Sequence, residues 1–121
     1  MTNDKKLEWV LRIGVFGEFF GHGMFAVQGK ESWIAWTQQL TGLDLGMATT
    51  FIMVVGVVDI VLAVLVLVKP INPLLLWMAF WGFWTALLRP IVGESFWDFI
   101  ERWANAAAPL ALYYFYRSRG Q

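Results

Sequence analysis

Residues 47–68 read MATTFIMVVGVVDIVLAVLVLV, an apolar run of 22 residues broken only by Thr49, Thr50 and Asp59. At ~1.5 Å per residue, a helix of this length crosses the ~30 Å hydrocarbon core of a bilayer. An aspartate at its middle costs about 2.5–3.5 kcal/mol to insert unless it faces protein. The run therefore predicts a transmembrane helix with one polar residue turned inward.

Three more runs flank it. Leu7 to Val27 is apolar apart from Glu8, Arg12, Glu18 and His22, Leu74 to Leu88 is nearly unbroken, and Ser95 to Tyr116 carries its polar residues in its first half. The apolar residues of the first and last runs surround the helix instead of forming one stripe, which points to burial on all sides. An apolar segment followed by a small-residue cleavage site would read as a signal peptide, and the first run lacks that pattern. The expectation is an all-α, polytopic membrane protein: an antiparallel four-transmembrane-helix bundle forming a single domain over 1–121. Its helices are expected over 7–28, 47–68, 73–89 and 95–117.

The punctuation between the runs agrees with this reading. In KPINP (69–73) both prolines disfavour helix in the preceding residue, which makes helices two and three a tight hairpin. RPIVGES (89–95) is almost as short, and Ser95 with Asp98 reads as a capping pair opening helix four. Only 29–46, GKESWIAWTQQLTGLDLG, is long. Trp33, Ile34, Trp36, Leu40 and Leu43 make it amphipathic, so it is expected to lie in the interface over one mouth of the bundle.

Composition bounds the function classes. Hydrophobic residues make up 59% and charged residues 15% of the chain, against about 45–50% and about 25% in soluble domains. The formal net charge is zero, which gives no reason to expect a nucleic-acid partner. Without cysteine, the chain itself supplies no disulfide, iron–sulfur ligand or thiolate. Lys5, Lys6, Lys69, Arg117 and Arg119 fall on the side of the termini, against Lys30, Arg89 and Arg102 opposite. The positive-inside rule then places both termini in the cytoplasm, as expected for a multi-pass protein of the inner membrane. Tyr113, Tyr114 and Tyr116 anchor that interface.

Within the bundle, the segment GEFFGHG (17–23) places Glu18 and the sole histidine, His22, one turn apart. Glu18, His22, Asp59, Arg89, Glu101, Arg102 and Asn105 are predicted to converge on the midplane and outer half as an intramembrane polar site. A carboxyl group there must find a cation or hold a proton. His22 is the natural partner for Glu18, and Arg89 or Arg102 for the acids of helix four. Two readings stand side by side: a polar lock fixing which helices are neighbours, or a functional pocket. Gly14, Gly17 and Gly21 form a small-residue seam expected to let helix one pack closely. One histidine cannot by itself make a bis-histidine haem or a three-histidine zinc site, so no metal site is expected. Of the eight tryptophans, most suit the interfaces, but Trp81 and Trp84 lie too deep. They either fill the core or wall a pocket for a flat apolar ligand such as a quinone.

LRIGVFGEFFGHGMFAVQGK (11–30), MVVGVVDIVLAVLVLV (53–68), TALLRPIVG (85–93) and ERWANAAAPLAL (101–112) resemble the four helices of the DoxX-like membrane family. In the second of these, Gly56 precedes the acid Asp59 by three residues, with Asp where the family more often has Glu. The resemblance implies a four-helix membrane bundle. It also implies the company of quinone-linked redox assemblies, since some relatives are small subunits of thiosulfate:quinone oxidoreductase. No nucleophile–base motif points to a stand-alone enzyme, and the sequence itself requires no cofactor. The expected role is a membrane subunit or accessory protein of a quinone-linked redox complex, within the lipid bilayer and as a homo-oligomer or part of a larger complex. The alternatives are a small proton-coupled carrier using Glu18, His22 and Asp59, and a ligand-free assembly factor.

Overall fold

A computed structural model describes residues 2–120. Its elements are α1 (Asn3–Val27), α2 (Glu31–Thr41), α3 (Leu45–Val68), α4 (Asn72–Ile91), the six-residue α5 (Phe96–Glu101) and α6 (Trp103–Ser118), with no strand among the described residues. The helix starts follow from local chemistry. Thr2 accepts from the Lys5 amide and Asp44 from the Met47 amide at 2.8 Å, each satisfying a free N–H of a first turn. Pro73 sits in the first turn of α4, where a missing N–H costs nothing. α2 stops at Gly42, whose φ of 76° closes the helix in the left-handed region.

Three helices, α1, α3 and α4, are long and apolar enough to cross a membrane. The fourth segment differs from expectation. In place of one helix over 95–117 there are two, broken at Arg102, and α6 has only 16 residues. The polar half of the segment explains the break. Arg102 folds back to donate to the Asp98 carbonyl at 3.1 Å and to Glu101 at 2.7 Å. The Asn105 amide then bonds to the Arg102 carbonyl in a tighter turn. α1 also begins a turn earlier than expected, because the Thr2 cap recruits the polar residues Asn3 to Lys6 into the helix. The connection 29–46 is largely helical, its core being α2.

α1 packs against α3 and α6, α4 against α6, and α2 lies on α3. One core cluster draws Val15 and Phe19 from α1, Leu62 and Val66 from α3, Leu75 and Met78 from α4, and Leu112 and Tyr116 from α6. A smaller one, Ala26, Ile34, Ala48 and Ile52, ties α2 to the far ends of α1 and α3. The two chain ends meet. Arg119 pairs with Asp4 at 2.7 Å, and the Tyr116 hydroxyl donates to Glu8 at 2.6 Å. α1 therefore runs antiparallel to α6, and Arg12 beside the C-terminal end of α3 shows the same for α1 and α3. The outward face of α3, including Val54, Val57, Val61 and Val64, is apolar and exposed, as a lipid environment requires.

The close helix contacts are not where the small-residue pattern placed them. A Cβ added at Gly14, Gly17 or Gly21 would meet no atom within 4 Å, so that seam faces away from the packed interface. Gly23 and Gly56 make the contact instead. A Cβ on either would lie 2.8 Å from the other's carbonyl oxygen, so only hydrogen fits between α1 and α3. Gly82 has the same role against the Asn105 carbonyl of α6. Two residues apart in sequence, Gly21 and Gly23 point about 200° apart around a helix at ~3.6 residues per turn, so only one of them can face α3.

Substitution should separate the two glycine sets. Gly56→Ala is expected to cost about 1–3 kcal/mol through overpacking against backbone. Gly17→Ala should be neutral or stabilising by about 0.5–1 kcal/mol, because it removes a flexible residue from a helix interior. Thermal unfolding in detergent checks both. Equal loss in the two variants would place α1 in a different rotation.

Candidate functional site

Among the described residues, Arg89, Asp59 and Thr37 are the buried polar or charged side chains, 7%, 4% and 8% exposed. All three line one cavity of about 240 Å³ between α2, α3 and α4. In a protein whose lipid-facing surfaces are apolar, polar groups gathered on a single internal space mark it as the candidate site.

Each element contributes for a local reason. The Gly23–Gly56 contact brings α1 against α3, which turns His22 toward the cavity; Asp59 lies one turn beyond Gly56 on α3. α4 supplies Trp81, Trp84, Thr85, Leu88 and Arg89, which recur at three- and four-residue steps along one face. α2 supplies Trp33, Trp36, Thr37, Leu40 and Thr41 at the same spacing. Phe51, Ile52 and Val55 complete the wall from α3. The threonine hydroxyls are committed as donors to their own helices: Thr37 to the Trp33 carbonyl at 2.9 Å, Thr41 to that of Thr37, and Thr85 to that of Trp81.

The remaining polar groups are not satisfied within the chain. Arg89 Nε, Trp33 Nε1 and Glu18 Oε2 are buried without a hydrogen-bond partner. The Arg89 guanidinium stands 4.7 Å over the ring of Trp36, and the Trp33 ring meets His22 edge-on at 5.7 Å. Lys30, at the α1–α2 turn, caps this end with its ammonium 4.8 Å over the rings of both Phe25 and Trp33. Desolvation, aided by the nearby guanidinium groups of Arg89 and Arg102, pushes the Lys30 ammonium below its usual range.

The structure therefore divides the predicted site. His22, Asp59, Arg89, Trp81 and Trp84 come together on the cavity. Glu18 does not line it. Its Oε2 is buried without a hydrogen-bond partner, and it forms no ion pair with His22. Glu101 pairs with Arg102 at 2.7 Å, one of the two pairings expected for the acids of helix four, and Arg89 takes no part in it. Asn105 meets Gly82 through its backbone, away from the cavity. The α2 contribution to the site is not among the residues predicted for it, although its signal is present: Trp33, Trp36, Thr37, Leu40 and Thr41 form one helical stripe.

A second polar cluster lies at the opposite end, where Glu8, Arg12 and Tyr116 line an open recess with Lys69 and Asn72 but are bonded to one another. Arg12 donates through Nε to the Val66 carbonyl at 3.1 Å, through another nitrogen to the Leu67 carbonyl, and to Glu8 at 3.3 Å. Glu8 accepts the Tyr116 hydroxyl as well. Here α1, α3 and α6 are held together by groups that satisfy one another. These groups hydrogen-bond one another, whereas Asp59 and Arg89 at the cavity do not.

Among the described residues no group of three His, Asp or Glu side chains is arranged to hold a metal ion. Comparison with protein-family models, with curated proteins and with solved structures finds no match to this chain.

The two clusters should respond oppositely to removal of their polar groups. Tyr116→Phe should cost about 1.5–3 kcal/mol, the value of a hydrogen bond to a charged partner. Asp59→Leu should stabilise by about 1–3 kcal/mol, because it replaces a buried carboxyl that forms no bond in the chain. Thermal midpoints in detergent check the signs. A destabilised Asp59→Leu protein that is still folded would make Asp59 part of the lock.

Proposed function

We propose that this chain is a four-span protein of the inner membrane, of DoxX-like type. In this reading it holds a quinone-sized ligand in the α2–α3–α4 cavity, as a small membrane subunit or accessory protein of a quinone-linked redox complex. α5 and α6 together provide the fourth crossing, which brings both termini to the cytoplasmic side with Lys5, Lys6, Lys69, Arg117 and Arg119.

The observation that carries the reading is the pairing of an aromatic cavity with unused donors. Four tryptophans and Phe51 offer flat apolar walls, while Trp33 Nε1 and Arg89 Nε await acceptors. A quinone ring supplies a flat apolar body and carbonyl acceptors. A cavity of about 240 Å³ suits one or two fused rings, since an engineered cavity of ~150 Å³ holds benzene. The isoprenoid tail would extend along the exposed apolar flanks of α3 and α4.

A second reading, a proton-coupled carrier, draws on Glu18 and Asp59. Neither forms a salt bridge among the described residues, and both are drawn away from solvent. It ranks second because the sequence shows no internal repeat and no broken helix at the midplane in matching halves.

Purification in mild detergent followed by solvent extraction and mass spectrometry tests the first reading directly. A quinone is expected in the extract. Added 1,4-naphthoquinone should quench tryptophan fluorescence saturably, with affinity falling about tenfold in Trp81→Leu, the effect of losing ~1.4 kcal/mol of contact. An extract holding only phospholipid, together with quenching that never saturates, would overturn the ligand and leave the assembly-factor reading. For topology, a reporter fused after Gln121 should be active in the cytoplasm and one inserted near Gln38 in the periplasm. The reverse pattern would invert the orientation.

A further inference from the structure

Arg89 carries the one charge at the cavity that no proton transfer removes, because a guanidinium stays protonated throughout the pH range of proteins. It is 7% exposed, and its Nε has no acceptor. It forms no salt bridge among the described residues. Asp98, Glu94 and Glu101 reach it only at longer range, and Glu101 is already taken by Arg102. What stands against the guanidinium is the Trp36 ring, a weak substitute for a counter-ion. A buried cation without an anion is among the costliest arrangements a fold can keep.

The surroundings say where the anion would sit. Lys30, over the ring of the lining residue Trp33, adds a second positive charge on the α2 side of the cavity, where Arg89 stands against Trp36. Asp59 is the acid on the cavity wall. An anionic head is therefore disfavoured beside Asp59 and favoured at Arg89. Between them lie the apolar walls of Trp81, Trp84 and Phe51. The space, about 240 Å³, is too small for the two chains of a phospholipid.

We infer that the cavity takes an amphipathic monoanion: one oxyanion, a carboxylate or enolate, on Arg89, with a body of one or two rings or a medium-length chain between the tryptophans. The inference rests on the same cavity as the quinone reading and sharpens it, since a hydroxyquinone anion meets both descriptions. It differs in making charge, not ring structure, the feature that is recognised. Trp36 then has a second role: it stacks on Arg89 from α2 and positions the guanidinium toward the cavity.

The test compares ligands that differ only in charge. The full chain in phosphatidylcholine nanodiscs is titrated at neutral pH with 8-bromooctanoate and with 8-bromooctanol, both of which quench tryptophan. Partitioning into protein-free nanodiscs is measured separately. The wild-type protein should bind the carboxylate at least tenfold more tightly than the alcohol. Arg89→Gln should abolish that preference, and Arg89→Lys should keep part of it. Equal affinity in the wild type, or a preference that survives in folded Arg89→Gln, overturns the inference; the wild-type comparison needs no variant to fold. A parallel pair, 2-hydroxy-1,4-naphthoquinone and 1,4-naphthoquinone, separates this inference from the quinone reading. Tight binding of octanoate with neither naphthoquinone bound sinks the quinone and keeps the anion. Equal binding of both naphthoquinones keeps the quinone and sinks the anion. 1-Naphthoate against octanoate then distinguishes a soluble aromatic acid from a membrane-derived fatty acid, and Arg89-dependent binding of either one supports the proposal.

Discussion

The backbone contact between Gly23 and Gly56 is the constraint on which the rest of the molecule depends. It sets α1 against α3 at a separation that admits no Cβ. In lipid, where apolar side chains gain nothing by leaving the solvent, such close backbone approach is what makes two helices stay together. Because Gly23 follows His22 and Gly56 precedes Asp59 by less than a turn, the same contact settles which way both polar residues turn. Packing and site geometry are thus decided at one point.

The two polar systems show how differently a membrane bundle uses charge. At the end holding the termini, Glu8, Arg12 and Tyr116 consume one another's hydrogen-bonding capacity and that of two α3 carbonyls. Those carbonyls belong to the last turn of a helix, where no intrahelical donor remains, so Arg12 acts as a side-chain cap from a neighbouring helix. At the other end, donors and acids surround a space and leave one another unsatisfied. A fold selected only for stability would have filled that space with Leu and Phe. Keeping Asp59 and Arg89 there instead costs stability.

How much of this was legible in the sequence varied with the range of the interaction. The spans were legible because apolar runs of bilayer length have few other uses; the 47–68 run needed no partner to be read. The amphipathic character of 29–46 was legible too, yet its function was not, since Trp33 and Trp36 look the same whether they face headgroups or a cavity. What decides between those is the position of α3, which comes from Gly56, many residues later in the chain. The break at Arg102 was hidden for a related reason. A polar half-helix reads as one continuous amphipathic segment until the Arg102 side chain is seen returning to Asp98 and Glu101. The rotation of α1 was misread because the sequence offers two glycine sets, and the more regular one, Gly14, Gly17 and Gly21, is the one left unpacked. The pairing of Glu8 with Tyr116 spans nearly the whole chain, and no local pattern carries it.

α2 is the element that turns a helix packing into a site. α1, α3 and α4 alone would leave Asp59 and Arg89 in a cleft open to the interface, where water could solvate both. By laying Trp33, Trp36 and Thr37 along the cavity, α2 replaces part of its opening with ring and side-chain surface, which raises the energetic weight of the charges left inside. It is also the least deeply anchored of the longer helices, held by Ile34 in the small cluster, by the Trp36–Arg89 stack and by the glycine-bounded turns at Gly29 and Gly42. The same helix that covers the cavity is therefore the one packed least against the rest of the bundle. The Arg89 guanidinium under Trp36 couples those two roles, because an anion that takes the guanidinium as its partner weakens the need for the ring above it.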